Sequence, residues 1–271
     1  HGYTHQVLVR LRQTDHGILR NDLWTYTNER LCKDDLITVQ IVENECSDNI
    51  APVNLPLDIA YEDDDIIVIN KPFDMPAHPS AGNHDNTLAN ALMYYYGSQN
   101  KPFVYRCINR LDRDTTGLTI VAKHALAGGI LGNAVAKRAI HRTYYAVCSG
   151  CTPACMRISA PIARKDASTI ERCVDFKRGE NAVTDFIRIK YNPDNNLSLV
   201  KLRLLTGRTH QIRVHMKYIG FPLIGDFLYN PDYTYISRQA LHSGRLVFTH
   251  PVTGQKMNLI SDIPSDMKSL F

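Results

Sequence analysis

Hydrophobic positions along the chain fall into short runs, and the spacing within them switches between a period of two and a period near 3.6. Leu36-Ile37-Thr38-Val39-Gln40-Ile41 mixes polar and apolar residues as a half-buried strand does, and Ile66-Ile67-Val68-Ile69 is a β-branched run stopped by Asn70-Lys71-Pro72. Further strands are predicted at Gly117 to Ala122, Thr143 to Val147, Ala182 to Lys190 and Leu197 to Leu205, the last two separated by the turn NPDNN. Helical spacing appears from Thr87 to Tyr96, with Leu88, Ala91, Leu92 and Tyr95 on one side, and from His124 to Arg138, where Gly128, Gly129 and Gly132 weaken it. A third helix is predicted from Arg208 to Ile219. Ile212, Met216 and Ile219 share its buried stripe, with Arg213 at the edge. The segment RLVFTHPVTGQKMNLIS reads as a hairpin around His250 to Gly254.

Hairpins interleaved with helices predict an α+β fold, a mixed and largely antiparallel sheet with flanking helices. Before it lies a small α/β unit with an apolar stretch VLVRL, a turn at Asp15-His16-Gly17 and a short strand at Gly17 to Arg20. The polar, proline-bearing stretch ECSDNIAPVNLPLD is a linker by composition, so the expected division is 1–47 and 48–271. The first residue is His1 rather than Met, and upstream sequence, including a first helix, is expected to be missing.

No run of about 18 apolar residues is present, which argues against a helical membrane span, and no signal peptide is recognisable. Seven cysteines at irregular spacing argue against a disulfide framework and for a reducing, cytoplasmic setting. Cys148, Cys151 and Cys155 would start a metal site, and Cys173 could complete it. The paired spacing of a zinc site is absent, so no metal is expected. A net charge of +4 says little until the placement of the basic residues is known.

Four segments concentrate chemistry. Asn109-Arg110-Leu111-Asp112-Arg113-Asp114-Thr115-Thr116-Gly117 sets two carboxylates between two arginines directly before an apolar strand, which is either an ion-paired surface turn or a reactive loop. Its DTTG brushes against the aspartic-protease turn, but Thr116 breaks the pattern and no second copy exists. On the strand HRTYYAV, Tyr144 and Tyr145 face opposite sides, so one of them alone can serve a given pocket. LTGRTHQIRVH joins a strand end, a glycine turn and a helix start crowded with donors, suited to anions. GFPLIGD ends that helix in a turn.

In this order the segments resemble the RluA-type family of RNA pseudouridine synthases, and INKPFDMPAHPS and RLVFTHPVTGQ extend the match to roughly residues 58 to 262. Departures are Asn109, where many members carry His, and Arg142, where Lys is more usual. The resemblance implies the pseudouridine synthase fold and isomerisation of specific uridines in structured ribosomal or transfer RNA. It further implies that Asp112 is the catalytic carboxylate, that Arg213 pairs with it, and that Tyr144 stacks on the uracil and is placed to accept a proton. Arg110, Arg113, Arg208 and His210 are the expected RNA contacts. No cofactor is expected, because the reaction is redox-neutral and its atoms stay on one nucleotide. RNA is the expected partner of a monomer, with no DNA and no membrane. Residues 1–47 resemble the C-terminal part of a small RNA-binding module found in a ribosomal protein, truncated here.

Two other classes compete. One is an RNA-binding protein of the same fold that has lost catalysis. The other is a glycosidase built on Asp112 and Asp114, which would need both carboxylates flanking a sugar bond.

Overall fold

The computed structural model describes residues 5–271 except Val42, Asn44, Ala81, Ala167 and Thr169, and gives Gln6 as backbone alone. The N-terminal unit consists of helix α1 (His5–Gln13) and strands β1 (Ile18–Arg20), β2 (Leu23–Trp24) and β3 (Ile37–Val39) in a small antiparallel sheet of order β2-β1-β3. The apolar VLVRL stretch lies in α1, where Val7 and Leu11 fall one turn apart and pack with Ile18.

The remaining chain builds a ten-stranded sheet. In chain order its neighbourhood runs through β4 (Ile59–Glu62), β5 (Ile66–Lys71), helix α2 (Leu88–Gly97), β6 (Arg106–Cys107), β7 (Thr116–Ala122), helix α3 (Ala125–Ala136) and β8 (His141–Ser149). Then follow β9 (Cys155–Ser159), the two-stranded ribbon β10 (Ile162–Arg164) with β11 (Arg172–Val174), β12 (Val183–Asn192), β13 (Leu197–Leu204) and helix α4 (Gln211–Tyr218). Strands β14 (Leu241–Thr249) and β15 (Lys256–Ile260) and the single turn α5 (Ser265–Lys268) close the chain. The sheet order is β4-β5-β7-β14-β8-β13-β12-β9, with β15 on β14 and β6 on β7. Every pairing is antiparallel except β7 with β14, so the sheet is mixed and largely antiparallel.

The unbroken apolar run of β5 reflects burial on both faces. Ile66 and Val68 join Leu118, Ile120 and Leu131 on the α3 side, while Ile67 and Ile69 join Leu88, Leu92 and Tyr96 on the α2 side. Helix α2 begins where Thr87, in extended conformation, and Asn90 cap each other's backbone amides. The glycines of α3 have a packing reason at Gly128, where a Cβ would sit 3.1 Å from Arg106 Cδ. Helix α3 also carries Leu126, Ala125 and Ile130, against which the N-terminal unit buries Val7, Leu11 and Ile18.

The one parallel contact brings the start of β7 against β14. Gly117, at φ +106°, lies so close that a Cβ would approach Ser243 O to 2.3 Å, so only glycine fits. That approach fixes where the loop before β7 emerges, and that loop carries Asp112.

The sequence placed the start of α4 at Arg208 and Arg213 at its edge. Both expectations need correction. The helix starts at Gln211 after His210 in the left-handed region, and Arg213 is 1% exposed. Gln211 explains the late start: its Oε1 accepts from Thr206 Oγ1 and Arg208 N, and its Nε2 donates to Val183 O and Thr184 Oγ1, holding 206–210 as a turn. Thr184 also meets His215 Nδ1 at 2.9 Å, and His215 Nε2 lies 2.8 Å from Ala160 O.

Candidate active site around Asp112

The Asp112 loop is held from below by two buried polar side chains. Asn109 accepts from Ile120 N at 2.8 Å and donates to Leu118 O, so it continues the β7 ladder with its own amide. Lys71, 1% exposed, donates to Pro72 O, Met75 O and Arg113 O at 2.7, 2.8 and 2.8 Å. Burial pulls its ammonium down to about 7, opposed by the charges of Asp112 and Asp114. Three carbonyls for three N–H groups is the arrangement an ammonium needs, and it ties the loop after β5 to the loop before β7.

Asp112 emerges from this base with its side chain 29% exposed, into a cavity of about 90 Å³ that opens onto a groove of about 1290 Å³. Its Oδ2 accepts from Arg213 Nη1 at 2.8 Å, and His210 Nε2 lies 3.9 Å away. Arg213 gives its other two nitrogens to Asp226: Nε to Oδ2 at 2.7 Å and Nη2 to Oδ1 at 2.8 Å. Asp226 is fully buried, and its Oδ1 also accepts the amides of Leu228 and Tyr229. The rings of Phe227 and Tyr229 lie 5.3 and 5.0 Å from the guanidinium carbon. Every face of Arg213 is therefore engaged, and a single N–H edge reaches Asp112.

Burial raises the Asp112 carboxyl, but His210, Arg213 and Lys71 outweigh it and hold the group below the ordinary aspartate range. Of these, Arg213 is the lasting charge at neutral pH, because burial lowers the His210 imidazole and favours its uncharged form. His210 Nδ1 lies 3.0 Å from Tyr229 Oη, which already accepts the Arg172 amide. We assign the Tyr229 O–H as donor to Nδ1. That leaves the proton on Nε2, facing Asp112.

Tyr144 lies 5% exposed in the core beside Leu111, Ile212 and Leu241 and lines the Asp112 cavity, whereas Tyr145 packs on the opposite face. Burial pushes the Tyr144 phenol up, and the Asp112 charge adds to this, so the phenol is neutral. Arg110 and Arg208 line the same cavity, with Arg142 and Leu241. Arg208 spends part of its charge on Glu180. Arg113 does not line the cavity; it pairs with Asp114 at 3.1 Å and lies over Phe227. Asp114 is likewise outside the lining, so among the described residues Asp112 alone presents a carboxylate to the space, and the two-carboxylate geometry of a glycosidase is missing there.

Sequence reasoning missed Asp226, Lys71 and Tyr229 as parts of the site. The GFPLIGD turn was noticed, but nothing in its spacing tells that its last residue is the buried counter-ion of Arg213.

Among the described residues one group could gather around a metal, Asp63 with Asp65 and His250. There His250 Nδ1 accepts the amides of Val252 and Thr253, so Nε2 carries the proton and donates to Asp63 at 2.9 Å. The group pins the β14–β15 turn to the β4–β5 turn. Cys148 is buried, its thiol pushed up by burial, while Cys151 and Cys155 are exposed.

Comparison with known proteins gives the same direction as the geometry. Residues 65–218 match the family model described as RNA pseudouridylate synthase. An uncharacterized RNA pseudouridine synthase, YjbO, of Bacillus subtilis is 41% identical over 239 residues, covering 88% of this chain and 83% of its own. Ribosomal large subunit pseudouridine synthase D of Haemophilus influenzae is 41% identical over 245 residues, covering 85% and 75%. Among solved structures, human RNA pseudouridylate synthase domain containing 1 aligns with a TM-score of 0.65 at 26% identity, over 76% of this chain and 83% of that one. The chain belongs to the RNA pseudouridylate synthase family and is an RNA pseudouridine synthase, an isomerase acting on uridine in RNA. Among the described residues, no helix is long and apolar enough to cross a membrane.

Proposed function

We propose that this enzyme converts uridines of large-subunit ribosomal RNA to pseudouridine with Asp112 as the catalytic carboxylate. Relatives named for the large ribosomal subunit, from Haemophilus, Vibrio and Zymomonas, support that substrate over transfer RNA. The observation that carries the role of Asp112 is its contact with Arg213 at 2.8 Å in a cavity also lined by Tyr144.

In the reaction the uracil leaves C1′ at N1, turns and rejoins through C5; the C5 proton is lost and N1 gains one. Ionised Asp112 starts the cleavage, by attack on the base or sugar or by removing a sugar proton. Arg213 keeps it ionised and aimed. Tyr144 lies flat against the base and is placed where the C5 proton departs. The base must leave its stack first, at a cost of a few kcal/mol that is smallest in loops. Arg110 at the cavity mouth fills the gap or holds the displaced neighbour, with Arg208 and His210 at the rim.

Residues 1–47 act as a small RNA-binding-like module and 48–271 as the catalytic domain. In support, the three-stranded sheet shares no strand with the ten-stranded one. Seven unbonded cysteines fit work in the cytoplasm. Pseudouridine mapping of ribosomal RNA from cells with and without the gene tests the function; an unchanged map would overturn it.

A further inference from the structure

The arginines divide by partner. Arg106 pairs with Glu43, Arg113 with Asp114, Arg157 with Asp185, and Arg178 with Asp166 and Asp175. Arg110, Arg138, Arg142, Arg172 and Arg203 are different: all five line the groove that opens from Asp112, and among the described residues none has a carboxylate within 4.0 Å. Among the described residues, Asp112 is the one carboxylate in the groove lining. Five cations crowded into one concave surface repel each other unless an anion lies between them, which makes the groove a focus of positive potential.

Their positions give that potential a direction. Arg138 follows the end of α3 and Arg142 is the second residue of β8, whereas Arg172 lies on β11 of the ribbon and Arg203 near the end of β13. Arg172 is also joined to the site, since its amide donates to Tyr229 Oη, which touches His210. The ribbon thus forms a wall of the groove held in fixed relation to Asp112.

We propose that this groove carries a single RNA strand through the site, with Arg138, Arg142, Arg172 and Arg203 holding phosphates that flank the extruded uridine. Arg113, spent on Asp114, is not among the phosphate ligands. The inference rests on the uridine-isomerase reading of Asp112 and adds the path of the strand. Binding through these groups is electrostatic and independent of sequence, so it displaces cations and weakens with salt.

The test uses the full chain and a fluorescein-labelled 20-nucleotide oligouridylate, with affinity measured by anisotropy from 50 to 200 mM salt. Each lost phosphate contact flattens the log–log salt slope of a single strand by about 0.7, so Arg138→Gln with Arg203→Gln should flatten it by about 1.4. Over that range the wild type should lose about 7-fold more affinity than the double variant. Both side chains are exposed, so folding should survive, and each single variant should give about half the change. Arg245→Ala with Lys256→Ala, on β14 and β15 away from the groove, serves as the control and should leave the slope alone. An unchanged slope in the groove pair, or equal flattening in the control pair, overturns the track. Tritium release from 5-tritiated uridine in ribosomal RNA separates the two readings. A wild type that releases none, with the slope still flattened in the groove pair, would sink the isomerase reading and leave the strand path standing.

Discussion

Arg213→Met should do two kinds of damage that a second substitution can separate. Arg213 is 1% exposed and its removal leaves Asp226, fully buried, with no cation. Removing one partner of such a pair destabilises by about 3–5 kcal/mol, whereas replacing both charges is often close to neutral. At about 2–4 °C per kcal/mol for a chain of this size class, Arg213→Met should lower Tm by about 6–20 °C. Adding Asp226→Asn removes the stranded charge and keeps an oxygen for the amides of Leu228 and Tyr229, so most of the loss in Tm should return. Catalysis should return only in part, and least at low pH. With Arg213 gone, burial acts on Asp112 against His210 and Lys71 alone, and its carboxyl titrates higher. The sign follows: the wild-type carboxyl stays ionised as pH falls, so the acid limb of kcat should move to higher pH in the double variant. Tritium release from 5-tritiated uridine in ribosomal RNA, followed across pH beside thermal melts, reads both effects. A double variant with restored Tm and the wild-type acid limb would refute Arg213 as the group that sets the ionisation of Asp112.

Tyr144→Phe keeps the ring in the cavity and removes the hydroxyl; if the phenol oxygen takes the C5 proton while handing its own proton on to solvent, kcat should fall by about 100-fold with RNA affinity little changed, and a near-normal kcat would reduce Tyr144 to stacking. Thr87→Ala deletes the cap of α2, far from the cavity, and should lower stability by about 1 kcal/mol in chemical denaturation while leaving kcat alone. Deleting residues 1–47 should weaken RNA binding or change site choice while isomerisation persists. The deletion also exposes Leu126, buried beneath Val7 and Leu11, so some loss of Tm should accompany it. Unaltered affinity and site choice would end the role assigned to that module.

Much of the fold was legible because β5 and β7 are buried on both faces, and such strands announce themselves as continuous β-branched runs. The helix α2 and the β14–β15 hairpin were equally plain from period and turn residues, whereas α3 was legible only despite glycines that weaken its pattern. Short strands such as β9, β10 and β11 left little trace: β9 is mostly exposed, and its pairing with β12 depends on partners distant in sequence. Asp112, Arg213 and Tyr144 were marked by resemblance and are together in one cavity. Burial of Arg213 was illegible because its compensation comes from Asp226 across a turn, and helical spacing counts an arginine as polar wherever it lies. For Arg113, composition offered a cation beside the catalytic loop, but its neighbour Asp114 takes that charge in the fold. Which arginines are free for phosphate is a property of who pairs with whom, and no one-dimensional pattern holds it.

Asp112→Asn tests the central claim most directly, because the amide keeps the shape and hydrogen-bonding capacity of the side chain while removing its charge. Tritium release should vanish, and Tm and oligouridylate affinity should stay near wild type. An Asp112→Asn enzyme that still forms pseudouridine would contradict the account.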